Sequence, residues 1–170
     1  MRTYKGRPIT LAAKELKVSD IAPNFKAVNK DLEDVSLSDF KNNYIVINVV
    51  PSLDTPVCDL QTKTLHEEVI KRDDLDIKVI TISNDLPYAQ ERWCEAVELE
   101  GITVLSDYLY NEFGLKYGTL INELKLLARS VFVLNNKREI IYDEYAQEIN
   151  QHLDYDKLLD FINKMPSKWY

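Results

Sequence analysis

The sequence has few of the residues that disulfide-rich, fibrous or disordered proteins need. Its 170 residues include only two cysteines, four glycines and six prolines, and 45% of the chain is hydrophobic. Two thiols cannot build a disulfide scaffold, and the low glycine and proline content argues against collagen-like and low-complexity chains. A chain of this length buries about two-thirds of the surface that its unfolded form would expose. We therefore predict one globular domain over residues 1–170.

Basic charge and long apolar runs are also scarce. The chain carries 21 Lys and Arg against 28 Asp and Glu, a net charge of -7. Binding to nucleic acid or to an anionic membrane surface needs clustered Lys and Arg, so both partners are disfavoured. No apolar run approaches the length that spans a bilayer, and the first residues lack the apolar core of a signal peptide. We expect a soluble cytoplasmic protein with no membrane or nucleic-acid partner.

Histidine occurs twice, which limits the mechanisms open to a cysteine. His66 follows Cys58 by eight residues on the same predicted helix, a rise of about 12 Å that is too long for a thiolate–imidazole pair. The histidines and cysteines show no metal-ligand spacing, and no Cys-x-x-Cys is present. We expect no cysteine-hydrolase chemistry, no metal and no organic cofactor.

Alternating strand and helix patterns indicate the fold class. Apolar, β-branched runs predict strands at 25–28, 44–50, 77–83 and 102–105 and hairpins at 3–11 and 130–143. Helical spacing predicts helices over 57–69, from 87 to a stop at Gly101 and over 154–164, with shorter helical segments at 36–40 and 111–117. This order predicts an α/β, thioredoxin-like fold, with a mixed central sheet flanked by helices and a short N-terminal β-hairpin.

The step from the 44–50 strand into the next helix places a thiol at a helix start. Thr55 is a good N-cap and Pro56 suits the first helical position, so Cys58 becomes the third residue of the helix. Free backbone N–H groups there can hold a sulfur as thiolate, the form that attacks electrophiles. An inert, buried thiol fits the same pattern equally well. The pattern alone leaves both interpretations open.

Three segments of the sequence resemble a known family. Residues 51–58 read Pro-Ser-Leu-Asp-Thr-Pro-Val-Cys, similar to the peroxiredoxin active-site motif: a proline, three residues, a threonine or serine, two residues and the peroxidatic cysteine. Residues 85–90 (Asp-Leu-Pro-Tyr-Ala-Gln) and 92–94 (Arg-Trp-Cys) resemble the thiol peroxidase branch, the atypical two-cysteine peroxiredoxins. The resemblance runs over nearly the whole chain, except for the carboxy-terminal segment 165–170.

The resemblance implies a role for each residue of the family's pattern. Cys58 matches the peroxidatic cysteine and Cys94 the resolving cysteine, while Thr55 and Pro51 would shape the pocket. The family's distant arginine falls at Arg129. From the residues alone, Arg129 is more simply a surface arginine at a strand start, and Cys94 could be a small apolar residue of its helix.

The chemistry of peroxide reduction requires the same residue types. An arginine stays charged when buried and can stabilise both a thiolate and the oxygen that leaves. Attack by Cys58 produces a sulfenic acid, which condenses with a second thiol. A disulfide needs α carbons within about 7 Å, so we predict that one or both cysteine helices unwind locally during turnover.

The implied activity is reduction of hydrogen peroxide and organic hydroperoxides to water and alcohols. The resemblance further implies thioredoxin as the reductant and a homodimer as the assembly. Two other functions use the same cysteine pair: a peroxide-responsive redox sensor and a disulfide-exchange protein.

Overall fold

A computed structural model of the chain describes residues 1–167, so the last three residues of segment 165–170 lie outside the described part. In chain order the elements are β1 (Arg2–Tyr4), β2 (Arg7–Ile9), β3 (Lys26–Val28), β4 (Asp34–Ser36), a 3-10 turn (Leu37–Asp39), β5 (Tyr44–Val49), α1 (Pro56–Ile70), β6 (Ile77–Ser83), α2 (Pro87–Val97), β7 (Thr103–Ser106), α3 (Glu112–Lys116), β8 (Ser130–Leu134), β9 (Ile140–Tyr145) and α4 (Tyr155–Asn163).

The central sheet mixes parallel and antiparallel strands. Its seven strands lie in the order β4-β3-β7-β6-β5-β8-β9, and β1 and β2 form a separate antiparallel hairpin. β5, β6 and β7 are parallel neighbours, whereas β8 and β9 continue the sheet in antiparallel pairing. The predicted thioredoxin-like architecture, mixed sheet and N-terminal hairpin are confirmed.

β5 is an inner strand of the sheet, between β6 and β8, with apolar cores on both of its faces. Ile45 and Ile47 pack into the core on one face. Tyr44 and Val46 pack into the core on the other, together with Leu65 of α1. Successive side chains of a strand point to opposite faces, which explains why the whole segment is apolar rather than alternating. The carboxyl end of this fully buried strand is the platform for the site.

Two parts of the fold differ from the predictions. α2 ends at Val97 rather than near Gly101, because Glu98 already adopts a left-handed conformation with φ of 52°. The helix predicted at 36–40 is a single 3-10 turn, and it follows the short strand β4, which the sequence pattern did not predict. β4 closes a hairpin with β3 at one edge of the sheet. Neither difference affects the carboxyl end of β5.

Candidate active site

The helix start around Cys58 has the predicted geometry. Thr55 is the N-cap of α1 in extended conformation, Pro56 is the first helical residue and Cys58 the third. The Cys58 N–H donates to Thr55 Oγ1 at 3.2 Å, and the Thr55 hydroxyl donates to the Ser52 carbonyl at 3.3 Å. One oxygen lone pair of Thr55 is therefore used for capping, and the Cys58 side chain projects from the first turn of the helix.

Arg129 reaches the sulfur from the neighbouring strand. Ser130 pairs with Val49 in the antiparallel β5–β8 ladder, so Arg129 lies beside the end of β5. Arg129 is only 1% exposed, and Cys58 is completely buried. Arg129 Nη2 donates to Cys58 Sγ at 3.1 Å. The simpler interpretation of Arg129 as a surface residue was therefore wrong.

The buried guanidinium has no carboxylate partner in the described part of the chain. Arg2 and Arg72 each pair with a carboxylate at 2.7 Å. Arg129 instead donates to the Ile149 carbonyl at 2.9 Å, to Gln61 Oε1 at 2.8 Å and to the Cys58 sulfur. Burying an uncompensated charge is expensive. Of the three bonded partners, only the sulfur can ionise and balance the charge.

A buried polar network, which the sequence patterns did not predict, holds this guanidinium in place. Gln61, one turn after Cys58, donates to Asn48 Oδ1 on β5. Asn48 donates in turn to the hydroxyls of Thr62 and Thr81, each at 3.1 Å. The feature of the sequence that indicates this network is Asn48, the one polar residue inside the apolar strand 44–50. A buried amide needs partners, so this position pointed to a polar network.

Asp85 fixes the loop between β5 and α1. It follows β6, the parallel neighbour of β5, and accepts from Ser52 Oγ at 2.7 Å and from the Leu53 N–H at 2.8 Å. Pro51, which is buried, lies between the end of β5 and this anchored segment. The resemblance drew attention to 85–90 without assigning Asp85 a role. Its role in the structure is to anchor the loop that precedes Cys58.

Cys94 lies in α2, as predicted, at the edge of the same small apolar cluster that contains Cys58. It is a free thiol and only partly buried. Burial raises the pKa of the Cys94 thiol, with Lys30 acting in the opposite direction. Cys94 also lines an open groove of about 540 Å³ with Lys30 and the apolar side chains of Ile102 and Val104. The fold thus brings both cysteines to one cluster, each on its own helix.

Tyr155, at the start of α4, is a second residue near the site that no sequence pattern indicated. Its hydroxyl oxygen is buried and makes no hydrogen bond within the described residues. Burial raises the pKa of this phenol; Arg129 opposes that effect and Cys58 adds to it. The phenol therefore lies within electrostatic reach of the Arg129–Cys58 pair.

Residues 1–167 contain neither a cluster of metal ligands nor a membrane-spanning helix. Within that range no three or more His, Cys, Asp or Glu side chains are grouped as a metal site would require. In the same range no helix combines the length and apolar character needed to cross a membrane.

Comparison with known proteins identifies the family. The redoxin family model matches residues 17–159. The thiol peroxidase of Halalkalibacterium halodurans is 48% identical over 158 residues, which cover 93% of this chain and 94% of that protein. The chain belongs to the thiol peroxidases of the redoxin family. The thiol peroxidase of Bacillus subtilis is 46% identical, with 93% of each chain covered. The predicted family and activity class, a thiol-dependent peroxidase, are confirmed, and the roles of single residues stay predictions.

Solved structures agree with this assignment. A peroxiredoxin-like protein from Aquifex aeolicus has a TM-score of 0.87 and 37% identity, covering 96% of this chain and 95% of that one. A thiol peroxidase from Chromobacterium violaceum has a TM-score of 0.85 at 18% identity, covering 96% and 95%. At such low identity the second match supports the fold alone.

Proposed function

We propose that Cys58 is the peroxidatic nucleophile of this thiol peroxidase and that Arg129 supports its attack. The observation that carries the proposal is the 3.1 Å contact between Arg129 Nη2 and Cys58 Sγ. Because no carboxylate of the described chain neutralises this guanidinium, a thiolate at Cys58 compensates its charge. Thr55 and Pro51 shape the loop and the helix start that hold the sulfur.

The proposed first step is attack by the Cys58 thiolate on the nearer oxygen of a hydroperoxide. A sulfur–oxygen bond forms and the oxygen–oxygen bond breaks. The second oxygen leaves as hydroxide or alkoxide and takes up a proton to become water or an alcohol. Arg129 has donors that can stabilise negative charge on both the sulfur and the leaving oxygen. The substrates are hydrogen peroxide and organic hydroperoxides, as the family resemblance implies.

Cys94 completes the proposed cycle. Its thiol attacks the Cys58 sulfenic acid, a disulfide forms between the two sulfurs and water leaves. A thioredoxin-type dithiol then reduces this disulfide and becomes a disulfide itself. The groove beside Cys94 supports this step, because it exposes the resolving sulfur to a reductant.

The proposal extends to the setting of the enzyme. A thiol recycled by a dithiol protein suits a reducing compartment such as the cytoplasm. The net charge of -7 is the reason to expect no nucleic-acid partner. We expect a homodimer because the family resemblance implies one. We also propose that residues 1–170 form a single domain.

A coupled assay tests the function. With hydroperoxide, thioredoxin and thioredoxin reductase, we expect steady consumption of NADPH that Cys58→Ser abolishes. Cys94→Ser should allow one rapid oxidation that stops at the sulfenic acid. Mass spectrometry after one equivalent of peroxide should show Cys58 linked to Cys94 within one chain.

Other outcomes would contradict the proposal. A single stoichiometric oxidation of the wild type would support a redox sensor. Activity on protein disulfides without peroxide would support disulfide exchange. A Cys94→Ser variant that cycled normally with thioredoxin would exclude Cys94 as the resolving cysteine.

A further inference from the structure

The residues next to the two cysteines are bonded to each other. Asp59 follows Cys58 on α1, and Trp93 precedes Cys94 on α2. Trp93 Nε1 donates to Asp59 Oδ1 at 2.7 Å. This hydrogen bond joins the two cysteine helices through the immediate neighbours of both sulfurs.

The bond is well protected on the tryptophan side. Trp93 is 7% exposed and packs with Val50, Leu53 and Cys58 in the small apolar cluster that Cys94 also contacts. A buried indole N–H that loses its acceptor is left unsatisfied, which makes the bond costly to break. A carboxylate acceptor strengthens it further.

The second oxygen of Asp59 offers a matched control. Lys63 donates to Asp59 Oδ2 at 2.9 Å, one turn along α1. This ion pair lies within a single helix and is partly exposed. It therefore holds Asp59 without joining the two cysteine helices.

Disulfide formation conflicts with the Asp59–Trp93 hydrogen bond. Both cysteines lie inside continuous helices as free thiols. A disulfide requires the two β carbons to come within about 4.5 Å of each other with a defined torsion. Unwinding either helix to satisfy that geometry also turns the residue beside the cysteine, and the indole and the carboxylate separate.

We propose that Asp59 and Trp93 are positioning residues for the resolution step. Their hydrogen bond holds the closed arrangement in which Cys58 meets peroxide, and it must open before Cys94 can reach the sulfenic acid. This inference rests on the proposed roles of Cys58 and Cys94. It assigns the rate of disulfide formation to a hydrogen bond that involves neither the peroxide nor the reacting sulfurs.

The same bond sets how sensitive Cys58 is to overoxidation. While the helices stay closed, a second hydroperoxide can oxidise the sulfenic acid to the sulfinic acid, itself becoming water or an alcohol. Resolution by Cys94 competes with that reaction. If resolution becomes tenfold faster, about tenfold more peroxide is needed to overoxidise half of the enzyme.

The test compares two variants that remove the bond by different means with one that keeps it. Trp93→Phe removes the N–H and retains an aromatic ring, and Asp59→Leu removes the acceptor with little change in side-chain size. Lys63→Met removes the ion pair and leaves the Asp59–Trp93 hydrogen bond in place. Rapid quenching, thiol alkylation and mass spectrometry give three quantities for each: the rate of sulfenic acid formation, the rate of disulfide formation and the peroxide concentration for half-overoxidation.

We expect disulfide formation about tenfold faster in Trp93→Phe and Asp59→Leu, with a matching rise in the peroxide concentration for half-overoxidation. Lys63→Met should resemble the wild type. The double variant should be no faster than the faster single variant, because both changes break one bond. A general loss of structure would not reproduce this pattern, because it would alter peroxide attack together with resolution.

Two results would overturn the inference, and they are distinct. A wild type that forms no Cys58–Cys94 disulfide would refute the proposed function, and the inference with it. A wild type that cycles normally, beside a folded Asp59→Leu variant whose disulfide forms no faster, would refute the positioning role alone. Asp59→Leu decides the question even if Trp93→Phe does not fold.

Discussion

Replacing Arg129 by lysine tests the central contact of the site while keeping the positive charge. The guanidinium makes three bonds in fixed directions, at 2.9 Å to the Ile149 carbonyl, 2.8 Å to Gln61 and 3.1 Å to the Cys58 sulfur. A lysine ammonium is a single point donor on a flexible stem and cannot reproduce that fork. Arg129→Lys should therefore lose the donor that faces the reacting sulfur.

The loss can be compared with other enzymes that stabilise developing negative charge. Removing one such donor typically slows the reaction by 10²- to 10³-fold, about 2.7–4 kcal/mol. We expect a decrease of that size in the second-order rate constant for oxidation of Cys58 by hydroperoxide, measured by stopped-flow mixing under excess peroxide. Folding stability should also fall by about 1–3 kcal/mol, because a buried acceptor at Gln61 or Ile149 loses its donor.

Arg138→Lys is the matched control. Arg138 is partly buried, and its guanidinium donates to the carbonyls of Asn42 and Phe40 at 2.9 and 2.6 Å, with no bond to the sulfur. This variant should lose stability and keep the rate of peroxide attack within twofold of the wild type. A folded Arg129→Lys variant that reacts within threefold of the wild type would refute the proposed role of the arginine.

Two further predictions concern folding stability. Burial raises the pKa of Asp107 to about 6, although its hydrogen bonds from backbone N–H groups act the other way. The folded state then holds this proton more tightly than the unfolded state, so stability from Asp107 is present below about pH 4 and lost as the pH rises through 6, by about 3 kcal/mol. In urea unfolding between pH 4 and 7, the free energy of unfolding of Asp107→Asn should rise relative to that of the wild type by about 2 kcal/mol, since part of the effect is already lost at pH 4. A difference between the two proteins that does not change over this range would contradict the assignment. Gly118 has φ of +61°, and an added β carbon would meet the backbone carbonyl of Lys14. Gly118→Ala should cost at least about 2 kcal/mol, against about 1 kcal/mol for Gly6→Ala, where φ is +74° and the space is open; equal costs measured by urea unfolding would show that the clash is relieved.

Much of the fold was predictable because the sheet is strongly patterned. The apolar run at 44–50 predicts a strand that is covered on both faces, and β5 has that environment. The features that were predicted wrongly or not at all are short or locally strained. β4 has three residues, too few for a pattern, and the end of α2 depends on a left-handed Glu98, a conformation that glycine would have signalled more clearly.

The helix start could be predicted from neighbouring residues alone, whereas the rest of the site could not. Thr55, Pro56 and Cys58 are neighbours in sequence, so local capping rules place them. Arg129 lies 71 residues from Cys58 in sequence, and only strand pairing brings the two together. Family resemblance pointed to Arg129, but neither composition nor spacing did. The Asn48–Gln61 bond has the same character, since it joins a strand to a helix across the core.

The register of β5 explains why these distant residues meet where they do. Val49 pairs with Ser130 on its antiparallel neighbour and with Ile82 on its parallel neighbour. Arg129 and the segment leading to Asp85 therefore both lie beside the end of β5, where the chain turns toward Cys58. A shift of two residues keeps each side chain on its own face but moves it by about 6.6 Å along the strand, twice the length of the 3.1 Å contact with the sulfur. The reactivity of Cys58 thus depends on strand register as much as on the helix start that carries the thiol.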